Sequence, residues 1–200
     1  MVLTDPALLQ GRDAVDVCRQ ATAGGATMVQ VRWKDATPMG LLQLARALVQ
    51  ALPVPVLVND RVDVALAAGA AGAHLGQDDP PLDTLRPMVP AGFLLGISVG
   101  SVLEAEHVRA WPADYWSVGP CFATGNKADA GAALGPDGFA ALARVAPEGM
   151  PVIGIGGITA GTAAQIIRAG AAGVAVIGAV LGAPDPERAA RELSASLAPA

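Results

Sequence analysis

Two short apolar runs in this chain stop abruptly at oxygen-rich side chains, and those side chains suit a divalent cation. Val56-Leu57-Val58 ends in Asn59-Asp60-Arg61, and Ala73-His74-Leu75 ends in Gly76-Gln77-Asp78-Asp79. Each run reads as a buried strand, and each corner stands where a helix should begin. If the two strands are neighbours, Asp60 and Asp79 project into one mouth and can share a metal ion through hard carboxylate oxygens. One segment earlier, Gln30, Arg32 and Lys34 alternate, so an extended backbone turns all three to one side. Two acids and a cationic pair at successive strand ends make a place for a Mg2+-bound diphosphate. Carboxylates would hold the metal, and Arg32 and Lys34 the remaining phosphate oxygens.

Each residue also has a plainer explanation. Asn and Asp are favoured helix N-caps, so Asn59 and Asp60 could serve only the following turn. Asp79, ahead of Pro80-Pro81, could be a loop carboxylate, and Arg32 and Lys34 could lie on the wet side of an edge strand. His74, within its strand, is read as a buried, hydrogen-bonded core residue rather than a base. Further on, Gly119 to Lys127 offers the Thr124 hydroxyl, the Asn126 amide and the Lys127 ammonium on one loop. Ile155-Gly156-Gly157 and Ile177-Gly178 end later runs, where backbone amides at a helix start can bind a phosphate. Tight turns alone would also account for these glycines.

The elements that must position these groups recur as one unit: a brief β-branched run, a polar or glycine corner, then an Ala/Leu-rich helix. Strands are expected at 2–4, 28–32, 54–58, 71–75, 93–98, 115–118, 151–155 and 173–177. Helices are expected at 13–23, 38–52, 61–68, 82–88, 102–110, 136–145, 159–169 and 184–197. Eight such units close a (β/α)8 TIM barrel, here one domain spanning 1–200. A closed barrel has no edge strand, which favours an inward Arg32 and Lys34 wanting a ligand anion. Gly69 and Gly170 are each expected to end a helix in the left-handed region before a tight turn. An open doubly wound sheet is the competing architecture, but no Gly-x-Gly-x-x-Gly follows the first strand and no P-loop is present.

Composition narrows the function. Of 200 residues, 52% are hydrophobic and 16% charged, which supports one compact core and argues against disorder. The net charge of -5 provides no basic field for nucleic acid. Cys18 and Cys121 are too few for a disulfide framework or zinc site, the most apolar segment, 169–183, is too short to span a bilayer, and the N-terminus carries no targeting pattern. A cytoplasmic protein acting on small molecules is expected, with self-association left open.

In order and spacing, Thr4-Asp5, Gln30-Val31-Arg32-Trp33-Lys34, Asn59-Asp60-Arg61-Val62-Asp63, His74-Leu75-Gly76-Gln77-Asp78-Asp79, Gly96-Ile97-Ser98-Val99, Val118-Gly119-Pro120 and Ile155-Gly156-Gly157-Ile158 resemble thiamine phosphate synthase. The likeness runs over essentially the whole chain. It implies a TIM barrel that couples hydroxymethylpyrimidine diphosphate to thiazole phosphate, or to its carboxylated form, giving thiamine phosphate and diphosphate. It implies that Asp60 and Asp79 ligate Mg2+. The stretch Gln30, Val31, Arg32, Trp33 and Lys34, with Asn59, Ser98 and Lys127, would bind the pyrimidine diphosphate. Thr124, Asn126, Gly156, Gly157, Ile177 and Gly178 would surround the thiazole phosphate, and Ser98, Lys127 and Arg32 would assist departure of the diphosphate. Three positions depart from the family pattern: Trp33 for a glutamate, Gly125-Asn126 for Pro-Thr, and Gly178 for a serine. A thiazole tautomerase on the same barrel is the rival activity, but it would lack the metal aspartates and carry a His where Pro120 stands. A catalytically silent barrel that binds thiamine precursors is the second rival.

Overall fold

A computed structural model describes residues 1–125 and 131–197. Eight strands, β1 (Val2–Leu3), β2 (Val29–Val31), β3 (Val56–Asn59), β4 (Gly72–Leu75), β5 (Leu94–Val99), β6 (Tyr115–Val118), β7 (Val152–Ile155) and β8 (Gly173–Ala175), pair in parallel in sequence order. A parallel bridge between Val2 and Val176 closes the ring, with Leu3 N–H donating to Val176 O at 2.9 Å. This is the expected (β/α)8 barrel. It excludes the doubly wound sheet, whose strand order would reverse at a switch point.

The helices are α1 (Pro6–Leu9), α2 (Ala14–Ala23), α3 (Pro38–Ala51), α4 (Val62–Ala68), α5 (Leu82–Leu85), α6 (Val102–Val108), α7 (Gly135–Val145), α8 (Ala160–Arg168), α9 (Gly178–Leu181) and α10 (Pro186–Ser196). Local chemistry starts several of them. The side chains of Asp13, Thr37, Ser101 and Asp185 accept from the first-turn amides of α2, α3, α6 and α10, satisfying donors a helix start leaves unpaired. Gly69 and Gly170 have φ of +70° and +103° at the ends of α4 and α8, as expected. The 82–88 helix ends early as α5 and continues as a 3₁₀ turn over Arg86–Met88, because Pro87 brings no N–H to an α-helical ladder.

Strand residues alternate between two environments. Val29, Val31, Val56, Val58, Leu75, Ile97, Trp116 and Val118 belong to the apolar layer packed beneath the helices. Gln30, Leu57, His74 and Ser117 are equally buried and take the intervening positions, toward the barrel interior. The barrel seam is held by contacts that no local pattern announces. A Cβ on Gly24 would lie 2.2 Å from the Glu187 carbonyl oxygen, so the end of α2 lies almost directly on α10. The Arg12 guanidinium reaches across the same seam to the carbonyls of Leu181 and Ala183.

Candidate active site at the C-terminal mouth

Parallel strands bring every expected site residue among those described to the same end of the barrel, but Val31 turns its side chain away from the mouth. That side chain is fully buried in the layer beneath the helices, because position 31 takes the opposite side of β2 from Gln30 and Arg32. Only its backbone can face the mouth. Trp33, 38% exposed, follows the strand's end. Asn126 and Lys127 lie outside the described residues.

The β3 corner is no helix cap. Helix α4 begins after Arg61 without a side-chain capping bond, and Asn59 Oδ1 instead accepts from Gln30 Nε2 at 2.8 Å. Asp60 takes φ of +62°, a left-handed conformation that Asp and Asn tolerate better than most residues. Its N–H donates to His74 O at 2.8 Å, tying the end of β3 to β4. Its carboxyl interacts with that of Asp79, which follows the neighbouring strand β4. Asp79 is itself held by the chain beyond β4, its Oδ2 accepting from Gly76 N at 2.7 Å.

Asp60 is exposed as a residue, but its carboxyl is crowded. Partial burial first, then the negative charge of Asp79 and a hydrogen bond between the two, raise its pKa from 3.8 to about 6, against opposing pulls from Arg32 and Lys34. Two carboxylates forced together need a cation or a shared proton. Among the described residues no third His, Cys, Asp or Glu joins them. A pair of this kind suits an ion that fills the rest of its shell with water and substrate phosphate oxygens.

Arg32 is not left to a ligand alone, as the alternation suggested. Its Nη1 lies 3.3 Å from Asp5 Oδ2, a partner 27 residues earlier, with both side chains largely buried. Thr4, fully buried, clamps the same point by accepting from Arg32 N at 2.8 Å and donating to Arg32 O at 3.0 Å. Parallel pairing of β1 with β2 places their ends side by side, and neither spacing nor composition identifies Asp5 as the partner of Arg32. Lys34 is exposed and acts on Asp60 through its charge.

Across the mouth, the segment after β6 is stitched to the end of β7. Cys121 N donates to Ile155 O at 2.8 Å, and Phe122 N to Gly156 O at 3.0 Å. Gly156 and Gly157 have φ of +91° and +64°, and a Cβ on Gly157 would stand 2.6 Å from Ala123 O and 2.7 Å from Phe122 O. The Thr124 segment and the double glycine therefore form one unit. Ile177 and Gly178 stand at the start of the four-residue α9 after β8. Between the two sides sits Ser98, which accepts or donates at 2.9 Å with His74 Nε2 and whose carbonyl accepts from Gln77 Nε2 at 2.6 Å.

This geometry has relatives. The family model described as thiamine monophosphate synthase matches residues 1–180. The chain belongs to the thiamine monophosphate synthase family. It is 46% identical over 195 residues to the thiamine-phosphate synthase of Roseiflexus castenholzii, covering 96% of this chain and 85% of that protein. It is also 46% identical over 203 residues to that of Methanoculleus marisnigri, covering 100% and 95%. A solved thiamine phosphate pyrophosphorylase from Pyrococcus furiosus superposes with a TM-score of 0.88 at 35% identity, over 98% of this chain and 93% of that one. Among the described residues, no helix of this family member is long and apolar enough to cross a membrane.

Proposed function

We infer that this chain is a transferase of thiamine biosynthesis, joining a pyrimidine diphosphate to a thiazole phosphate with release of diphosphate. The observation that carries the reading is the convergence of Asp60 and Asp79 at adjacent strand ends, facing Arg32 and Lys34, opposite the Gly156-Gly157 turn. One side of the mouth suits a metal-bound diphosphate, the other a phosphate monoester.

Mg2+ fits the donor set, since it is commonly bound by one or two carboxylates with phosphate and water in the remaining positions. Asp60 and Asp79 would hold it, and it would supply positive charge to the diphosphate. Arg32, steadied by Asp5 and Thr4, and Lys34 neutralise the outer phosphate oxygens as charge develops on the leaving group. Gln30 and Asn59, hydrogen-bonded to each other, and Ser98 line the pyrimidine side, with Lys127 assigned to the diphosphate. Thr124, Asn126, the amides of Gly156 and Gly157, and the Ile177-Gly178 corner receive the thiazole phosphate. Among the described residues, the mouth offers carboxylates, cations and amides but no activated nucleophile, so catalysis consists of positioning two substrates and stabilising departing charge. Free, buried Cys18 and Cys121 agree with work in a reducing cytoplasm.

A coupling assay tests the reading directly. Purified protein mixed with both phosphorylated precursors and Mg2+ should form thiamine phosphate, and EDTA should stop it. Thiazole isomerisation without coupling would replace this function by the tautomerase. Asp5→Asn provides a finer check: asparagine can keep the α1 capping bond to Ala7 N while removing the charge beside Arg32. The expected result is a rise in KM for the pyrimidine diphosphate of about fivefold, with KM for the thiazole phosphate unchanged.

A further inference from the structure

His74 is 7% exposed inside the barrel, and both ring nitrogens are engaged. Nδ1 lies 2.8 Å from Tyr115 Oη, and Nε2 lies 2.9 Å from Ser98 Oγ. Strand register builds this contact. His74 is in register with Gly96, and Gly96 with Tyr115, so three adjacent positions around the ring read His, Gly, Tyr. A Cβ on Gly96 would stand 2.2 Å from the Tyr115 ring, so the phenol reaches His74 only because that position carries no side chain. The two rings stack with centroids 5.5 Å apart. Ser98 is two residues beyond Gly96 on β5, on the same side and nearer the mouth.

Proton accounting decides how this row is wired. Burial and the nearby Asp114 push the Tyr115 phenol well above its ordinary range, so it keeps its proton. Among the described residues, the acceptor that proton reaches is His74 Nδ1. An imidazole protonated at Nδ1, or at both nitrogens, would leave a buried phenol donor unpaired, which costs more than an ordinary hydrogen bond contributes. Nδ1 is therefore the acceptor and Nε2 carries the hydrogen. Ser98 Oγ then accepts from Nε2–H, and its own hydroxyl hydrogen must point elsewhere.

We propose that Tyr115 and His74 form a relay that holds His74 as its Nε2–H tautomer and turns the Ser98 hydroxyl proton into the mouth, as a hydrogen-bond donor to the departing diphosphate. Tyr115 and His74 are positioning residues, acting through Ser98. The identity of the acceptor rests on the transferase reading above; the tautomer does not.

Two measurements on the full-length chain separate these parts. The sequence has two histidines, His74 and His107, so 15N NMR of histidine-labelled protein resolves both rings, with His107→Gln assigning them. Wild type should show His74 protonated at Nε2 and bare at Nδ1, and Tyr115→Phe, which keeps the ring that packs on Gly96, should shift population to the Nδ1–H form. In the coupling assay Tyr115→Phe should lower kcat about fivefold with both KM values near wild type, and should cost nothing further in a Ser98→Ala background. A wild-type ring protonated at Nδ1 overturns the proposal, and so does a Tyr115→Phe protein with unchanged tautomer and kcat. A chain that shows Nε2–H yet couples nothing overturns the transferase reading and leaves the relay supported.

Discussion

Asp60→Asn should lower kcat/KM about 100- to 1,000-fold, the scale on which removing one preorganised electrostatic contact acts, while making the metal-free protein more stable at neutral pH. Asparagine suits the experiment because it tolerates the left-handed backbone that alanine would strain at φ of +62°. The side chain is almost unchanged in size, but it loses its charge and one acceptor oxygen becomes an NH2 donor. The two effects are expected with opposite signs because a carboxylate placed beside Asp79 to hold a ligand would cost the fold stability when no ligand is bound. Its pKa rises from 3.8 to about 6 in the folded chain, through partial burial and the charge of Asp79. A raised folded value means the stabilising contribution is full below 3.8 and lost as pH rises through about 6. Denaturation in EDTA should therefore show stability falling across that window in wild type and a flatter profile in Asp60→Asn. Mg2+ at pH 7 should raise the wild-type melting temperature and leave the variant's almost unmoved. A variant that retains Mg2+-dependent coupling would remove Asp60 from the metal site.

Gly157→Ala should do comparable damage by another route. A left-handed φ of +64° strains any L side chain, and the new Cβ would stand 2.6 and 2.7 Å from two backbone carbonyl oxygens that cannot swing aside. Conformational strain and overpacking together should destabilise the protein by roughly 3 kcal/mol, lowering the melting temperature by roughly 10 °C for a chain of this size. Relief of the contact would push the Phe122–Ala123 segment away from the end of β7. KM for the thiazole phosphate should then rise well above KM for the pyrimidine diphosphate, whose side of the mouth is untouched. Thermal melts and two-substrate kinetics on the same preparation check both halves.

The departures from the family pattern now have places. Trp33 lies past the end of β2, and the Arg32 beside it is anchored by Thr4 and Asp5 whatever residue follows. Gly178 opens the four-residue α9 directly after β8.

Much of the frame was legible in the residues. Val29-Gln30-Val31 and Val56-Leu57-Val58-Asn59 turn alternate residues to opposite sides, one set in the layer beneath the helices and the other toward the barrel interior, and eight such runs separated by helical stretches count out a barrel. Helices α1 and α9, four residues each, went unread because one turn is too short to show a 3.6-residue period. Arg61 and Asp63 pair with each other at the surface, a reminder that charge next to a site need not belong to it.

By itself the sequence determined which side chains end the strands, and on which side of each strand they lie, because alternation is a property of every extended chain. Neighbouring strands also let it pair Asp60 with Asp79, but it could not determine the other partners. Asp5 beside Arg32, Tyr115 over Gly96 onto His74, and the Phe122 segment on Gly157 all join residues distant along the chain. Those contacts depend on strand order and register, which bring separate segments within a few ångströms, and hydrogen bonds and charge interactions are decided at that range.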